Sequence, residues 1–424
     1  MKYMKIINEK IPIKMWLDDI EDGALEQAKH LANLPFVFKH IAIMPDCHQG
    51  YGMPIGGVMA TKDVIVPNAV GVDIGCGLCA VKTSLTEIDA ETLKKIMGEI
   101  RKQIPVSTPI GFGHHKEQQD IALMPDFFLK DCNLSKRNVK NLDDEDFAYV
   151  LRNEGYDIIA QEYLSALKQI GTLGGGNHFI EIQKGSDGHI WIMIHSGSRN
   201  LGFTVANYYN KLAIQLNEKW HSQVPKEWEL AFLPVDSEEG QAYIREMNYC
   251  VDFALANRKL MMDRILNIFT EIFYDNRFTD KIRPDFEPII NIAHNYAIQE
   301  NHFGQNVWVH RKGATLAREG TIGIIPGSQG TSSYVVKGLG NKESFESCSH
   351  GAGRKMGRKE AERTLDLEAE KKRLDDRGIL HTIRGKSDLE EAAGAYKDID
   401  IVMENQKDLV KVLVKLEPLG VIKG

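Results

Sequence analysis

The chain has 424 residues, 43% of them hydrophobic, with 52 basic side chains against 59 acidic ones and a formal net charge of −7. This is ordinary globular composition with ample material for a core, and it excludes a uniformly basic, histone-like nucleic-acid coat. A local basic cleft on an acidic body stays compatible with a nucleic-acid substrate.

The chain opens with MKYMKIINEKIPIK, whose lysines flank no apolar stretch, unlike a secretory signal. Short strands are expected at 41–44 (IAIM), 57–61 (GVMAT) and 78–82 (LCAVK), separated by Gly- and Pro-rich turns. Residues 89–103 carry Leu93, Ile96, Met97 and Ile100 at helical spacing and predict an amphipathic helix. Further helix is expected over 142–170 and 241–273, with the apolar strands 179–182 (FIEI) and 190–194 (IWIMI) between them. Strands return at 288–293, 306–309, 321–325 and 333–336. The charged segment 354–377 reads as helix with a solvated face, and 388–414 as more helix. Dispersed strands and helices without regular alternation predict an α+β fold.

No repeat, low-complexity tract or linker interrupts the chain, so residues 1–424 are expected to form one large unit. No run of ~20 apolar residues could span a membrane. Cys47, Cys76, Cys79, Cys132, Cys250 and Cys348 are sparse and irregular, the pattern of reduced thiols, and a cytoplasmic location is expected.

Many of the 37 glycines fall in bursts beside chemically active residues: DCHQGYGMPIGG, GVDIGCG, GTLGGGNHF, HSGSRNLG, HRKGAT, PGSQGTSS and SHGAGR. Such loops let backbone amides approach a ligand closely. Asp73 and Cys76 stand three apart in one burst, His178 follows a glycine triplet, and His195 and His294 end the apolar runs IWIMI and IINIA. Any one of these histidines alone reads as structural. Five ligand-type residues in such contexts predict a metal site. Cys79 of the C-x-x-C lies in an apolar strand and reads as core.

No P-loop or dinucleotide fingerprint is present. PGSQGTSS offers amides and hydroxyls for a phosphate or a purine, or is a plain turn before a strand. In SHGAGRKMGR, His350 precedes Arg354 and Arg358, expected on successive turns of one helix with forks suited to phosphate oxygens. A histidine placed between a metal site and such a helix end is a candidate nucleophile.

Taken together and in this order, GVDIGCG, GGGNHF, HSGSRNLG, HRKGAT, PGSQGTSS and SHGAGR resemble the RtcB family of GTP- and manganese-dependent RNA ligases. The resemblance runs from about Pro45 to Lys423 and Gly424. It implies a compact α+β fold and the joining of RNA 3′-phosphate or 2′,3′-cyclic phosphate ends to 5′-hydroxyl ends. It implies two Mn²⁺ ions, one held by Asp73, Cys76 and His178, the other by Cys76, His195 and His294. By the same resemblance His350 is the catalytic histidine that becomes guanylylated. Asn177, His178, Phe179, Ile180, Glu181, His294, Asn295, Pro326, Gly327, Ser328, Gln329, Ser333, His350, Gly351, Ala352, Gly353, Tyr396 and Lys423 match guanylate-binding positions. Arg199, Arg354 and Arg358 match positions suited to RNA-end phosphates. Gln329 departs from the family, where Met is frequent. The expected roles are RNA repair or tRNA splicing, and family members differ in their dependence on an activating protein partner. A metallophosphoesterase that opens cyclic phosphates without ligation would use the same ligands. A non-enzymatic RNA-binding protein fits less well, since no recognition-motif or dsRBD signature is present.

Overall fold

The computed structural model describes residues 5–108, 111–126, 144–274 and 283–423. Most of its strands fall into two large sheets and are numbered here in chain order. They are β1 (Lys5–Asn8), β2 (Pro12–Met15), β3 (Val37–His48), β4 (Ile55–Thr61), β5 (Gly77–Lys82), β6 (Phe179–Gly185), β7 (Ile190–Ser196), β8 (Ile290–Ala293), β9 (Asn295–His302), β10 (Gln305–Lys312), β11 (Ile322–Ile325), β12 (Ser333–Gly338) and β13 (Val410–Lys423). The helices are α1 (Asp22–Ala32), α2 (Ala90–Gln103), α3 (Asp144–Asn153), α4 (Asp157–Gln169), α5 (Arg199–Lys219), α6 (Glu238–Phe273), α7 (Arg358–Thr364), α8 (Leu367–Asp375) and α9 (Ile399–Glu404).

The six-stranded sheet runs β1-β2-β3-β4-β10-β9 and the seven-stranded sheet β8-β5-β7-β6-β13-β12-β11. All neighbours are antiparallel except β2 and β3. Helices packed on largely antiparallel sheets make this the expected α+β fold.

The apolar runs form strands because both of their faces are buried; every residue of β7 is inside. Side chains alternate between faces along each strand. One face of the seven-stranded sheet carries Cys79, Val81, Ile180, Ile182, Ile192, Ile194 and Ile422 against Leu93, Ile96, Met97 and Ile100 of α2 and Met261, Ile265 and Phe269 of α6. The periodicity read over 89–103 is that buried stripe, and Asp89 caps α2 by accepting from the Glu91 and Thr92 amides. The opposite face carries Leu78, Ala80, Phe179, Trp191, Met193 and Val421. On this second face the register sets His195 beside Phe179 and Phe179 beside Lys423.

His294 is the hinge between the sheets: β8 ends at Ala293 in one and β9 begins at Asn295 in the other. The chemistry therefore gathers at a seam.

Two expectations need correction, and two helices stand where the sequence reading places none. Segment 388–414 is helical only in short pieces, the 3-10 turns Lys386–Glu391 and Ala393–Ala395 and the helix α9, while its end, from Val410, belongs to the long strand β13, where alternating Lys and β-branched residues suit a sheet. Segment 354–377 starts its helix at Arg358, after the cap residue Gly357, and splits into α7 and α8. Helices α1 and α5 were not among the expected elements; α5 starts inside the burst HSGSRNLG. Cys132, Leu142 and Gly424 lie outside the described residues. Among the described residues no helix is long and apolar enough to cross a membrane.

Candidate metal and nucleotide site

Four histidine rings form a row at the seam. Centroid separations are 5.4 Å from His178 to His195, 5.2 Å from His195 to His294 and 4.8 Å from His294 to His350. Cys76 Sγ lies 3.5 Å from His178 Nε2 and 3.4 Å from His195 Nε2, and His178 Nε2 is 3.1 Å from Asp73 Oδ2. Two donor sets able to hold a metal ion share the thiol: Asp73, Cys76 and His178, and Cys76, His195 and His294.

The donors fit such ions. His178 Nδ1 donates to Leu173 O at 3.0 Å and His195 Nδ1 to Asn177 O at 3.1 Å, which leaves each Nε2 lone pair facing the sulfur. That is the outer-shell bonding that orients metal-ligating histidines. Burial drives the His195 and His294 rings well below their ordinary pKa and so keeps them neutral, as ligands must be. His294 Nδ1 is buried with no hydrogen-bond partner among the described residues. Leaving a buried polar atom unpaired costs about 1–3 kcal/mol, a cost that a bound cation removes. Nothing in Cys, His and Asp donors selects Mn²⁺ over Zn²⁺, which such sets hold more tightly.

Beneath these ligands lies Arg258 of α6, fully buried. Its Nη1 donates to Gly75 O at 2.9 Å and Ser196 O at 2.8 Å, and its Nε to Asn291 Oδ1 at 2.8 Å. One guanidinium thus ties together the residue before Cys76, the residue after His195 and the strand β8 that leads into His294. Its neighbour Asn257 accepts from the Gly171 and Thr172 amides and donates to Gly197 O, fastening the two flanking glycine loops. Replacing Arg258 by Met leaves two carbonyls and an amide oxygen unpaired. We expect metal affinity to fall by at least about tenfold, since each lost bond to a charged group is worth ~1.5–3 kcal/mol. Equilibrium dialysis, run beside thermal denaturation of the metal-free protein, measures this; unchanged metal affinity would show that the tie is dispensable.

His350 stands at the other end of the row. Its Nδ1 lies 2.6 Å from Asp46 Oδ2, which also accepts from the His350 amide at 3.0 Å and the Gly351 amide at 3.2 Å. Burial alone would raise the Asp46 carboxyl, but the His350 ring and these donors hold it below the usual carboxylate range. An ionised Asp46 only accepts, so Nδ1 carries the proton of this bond, and it is in the neutral tautomer so fixed that Nε2 has a free lone pair. The loop can approach this closely because Gly353, at φ 72°, has no Cβ; one would lie 2.0 Å from Asp46 O.

The row opens into a cavity of about 820 Å³. Of the expected positions, Asp73, Cys76, Asn177, Phe179, Glu181, His195, His294, Asn295, Pro326, Gly327, Ser328, Gln329, His350, Gly351, Ala352, Gly353, Arg354, Arg358, Tyr396 and Lys423 line it. Lys423 Nζ sits 5.6 Å over the Phe179 ring. Burial, opposed by Glu391 and Glu181, lowers the Lys423 pKa. Burial pushes the Glu181 carboxyl up to about 8.

Four expected residues do not line the cavity. Ile180 points to the other face of the sheet, into the core with Ile422, as strand alternation requires. Ser333 stands behind the 326–329 loop and accepts from the Gly327 amide at 3.1 Å. His178 is buried behind Cys76. Arg199 donates from Nε to Thr172 Oγ1 at 3.3 Å and lies close over Gly174.

The two arginines expected on one helix face meet differently. Arg354 precedes α7 and pairs with Tyr396 through an isolated bridge and a cation–π contact of 5.1 Å. Arg354 and Arg358 then converge on buried Glu391, at 3.2 and 3.0 Å. Glu391 and Asp46 were not foreseen. Asp46 stands in a quoted glycine burst, whereas the LEEAAG context of Glu391 gives no signal. Of the HRKGAT burst, Arg311 is structural, in a bidentate pair with Glu300 at 2.9 and 2.9 Å. Lys312 reaches the cavity wall, where burial lowers its pKa to about 7.

A protein-family model described as "tRNA-splicing ligase RtcB" matches residues 27–424. The chain is 38% identical to the RNA-splicing ligase RtcB of Escherichia coli K12 over the full length of both proteins. It is 33% identical to the tRNA-splicing ligase RtcB of Thermococcus kodakarensis, over 98% of this chain and 95% of that one. It is also 34% identical to the RNA-splicing ligase RtcB homolog 1 of Entamoeba dispar, over 95% of this chain and 82% of that one. With similarity along its whole length, and with the family's glycine-flanked histidines, cysteine and aspartate gathered around one cavity, the chain belongs to the RtcB family.

Proposed function

We propose that the protein is a GTP-dependent RNA ligase that joins 3′-phosphate or 2′,3′-cyclic phosphate ends to 5′-hydroxyl ends through a histidine–GMP intermediate, in RNA repair or tRNA splicing. The observation that carries this reading is His350: its Nδ1 is fixed by Asp46, and its ring borders His294 and the cavity. A triad-like carboxylate–imidazole pair leaves Nε2 as the nucleophile.

In the first step Nε2 attacks the α-phosphorus of GTP, a P–N bond forms and pyrophosphate leaves. Phe179, Glu181, Tyr396, Lys423 and the 326–329 loop hold the guanine nucleotide. Asp73, Cys76, His178, His195 and His294 would hold two divalent cations, manganese by the resemblance, which when bound would supply charge neutralisation at the phosphates. At a cyclic end water first adds to the phosphorus and the 2′-oxygen leaves as the 2′-hydroxyl, giving a 3′-phosphate; an oxygen of that 3′-phosphate then takes the guanylyl group, breaking the P–N bond and restoring His350. Finally the 5′-hydroxyl oxygen attacks the activated 3′-phosphorus, and GMP leaves with its bridging oxygen. Arg354 and Arg358 at the cavity wall offer positive charge to the RNA phosphates, and Arg199, outside the cavity lining, is assigned to them by the resemblance alone.

The test is to incubate the protein with GTP, Mn²⁺ and an RNA pair bearing a 2′,3′-cyclic phosphate and a 5′-hydroxyl. Joined product that requires GTP is expected. Opening of the cyclic phosphate without GTP consumption or joining would instead identify a phosphoesterase, which needs neither Asp46–His350 nor a nucleotide wall.

A further inference from the structure

At the mouth of the cavity the turn between β3 and β4 holds an aromatic ring out in water. We propose that Tyr51 is a stacking platform for the unpaired nucleobase at the reacting RNA end. This rests on the ligase reading above.

Tyr51 is 70% exposed yet lines the cavity, in company with Val72, itself 43% exposed and adjacent to Asp73. Single exposed apolar side chains are common and need no function. What separates this one is its backbone. Tyr51 O accepts from buried Lys312 Nζ at 2.5 Å. On one side Gln27 brackets Gly50, accepting from its amide at 3.0 Å and donating to its carbonyl at 2.6 Å. On the other side the Gly52 amide donates to Glu229 Oε2 at 3.2 Å. Gly52 adopts φ 64°, and a Cβ there would meet Glu229 O at 2.6 Å, so the turn is fitted tightly to its neighbour. Three consecutive residues are pinned by side chains from α1, β10 and the 229 loop, while the ring between them is left bare. A rigid mount under a free aromatic face lowers the ordering cost of binding a flat partner.

The partner's chemistry follows from position. The nucleotide wall proposed above comes from the seven-stranded sheet and the C-terminal segments, and its aromatic rings Phe179 and Tyr396 serve GTP. Tyr51 comes from the six-stranded sheet, five residues after Asp46. An RNA end that delivers its phosphate to His350 brings its terminal base with it, and an unpaired base offers an aromatic face. Stacking on such a ring tolerates every base, which suits a reaction defined by phosphate and hydroxyl groups rather than sequence.

The experiment compares wild type, Tyr51→Ala, Tyr51→Phe and Tyr51→Trp as full-length proteins with Mn²⁺. It follows covalent labelling by GTP without RNA, then the ligation KM for ends with a normal or an abasic terminal nucleotide. We expect Tyr51→Ala to raise the RNA KM on the order of tenfold or more, with Phe and Trp near wild type and labelling by GTP alike in all four. With abasic ends the wild type and Tyr51→Ala are expected to coincide. An unchanged KM in Tyr51→Ala, or a difference that persists with abasic ends, overturns the platform while leaving the ligase reading in place. Absence of GTP labelling in the wild type overturns the ligase reading, and the platform with it.

Discussion

His350→Ala is expected to abolish covalent labelling of the chain by α-labelled GTP and to reduce ligation by at least about a thousandfold. Removing a nucleophile leaves only the residual catalysis of binding and electrostatics. The labelled wild-type adduct should be acid-labile, as a phosphoramidate is, and stable to alkali. The fold should survive, because the ring is near the cavity surface and its main structural partner, Asp46, still accepts from the amides of residues 350 and 351. Asp46→Asn separates orientation from attack. It keeps the shape of the carboxylate but loses the charge that fixes the proton on Nδ1, and labelling is expected to slow about 10²–10⁴-fold, by analogy with loss of the carboxylate in a Ser-His-Asp triad. Gel autoradiography of the labelled protein reads both variants. An undiminished adduct in His350→Ala would assign the nucleophile elsewhere.

Cys76→Ser should empty both metal positions together. The thiol belongs to both donor sets, whereas Asp73 and His178 serve one and His294 the other. Serine is nearly isosteric, but its hydroxyl is not ionised near neutral pH and does not replace a bridging thiolate. Burial, and next the neighbouring Asp73, push the Cys76 thiol well up, so the pocket without metal holds it protonated and metal uptake must release that proton. We expect metal content, measured by elemental analysis after dialysis, to fall from about two ions per chain to below one. Ligation should drop by at least about a thousandfold. His294→Ala, by contrast, should remove one ion and spare the other. A Cys76→Ser protein that retains two ions would disprove the shared-ligand arrangement. Zn²⁺ is expected to displace Mn²⁺ in such a competition, because the donor set favours it.

What the sequence determined by itself is local chemistry. Asp73 with Cys76, and His195 and His294 at the ends of apolar runs, were legible because a strand buried on both faces leaves a recognisable apolar string and a glycine burst marks where it stops. His350 was legible from its small-residue loop followed by arginines. The amphipathic α2 was legible because its period records which face is buried. The tertiary structure decided everything that depends on partners far apart in the chain. Asp46 lies 304 positions before His350, and nothing near either residue encodes that they pair. Arg354 and Arg358 meet at Glu391 rather than along a helix, since the helix starts only at Arg358. Arg258 looks like any polar residue of a long helix until the loops that it bonds are folded over it. Lys423 reaches the cavity because the last strand, β13, slots between β6 and β12 in the middle of a sheet rather than at its edge. Periodicity reports burial, which is a property of one segment at a time. Pairing across sheets depends on the global packing free energy, and no segment carries that alone.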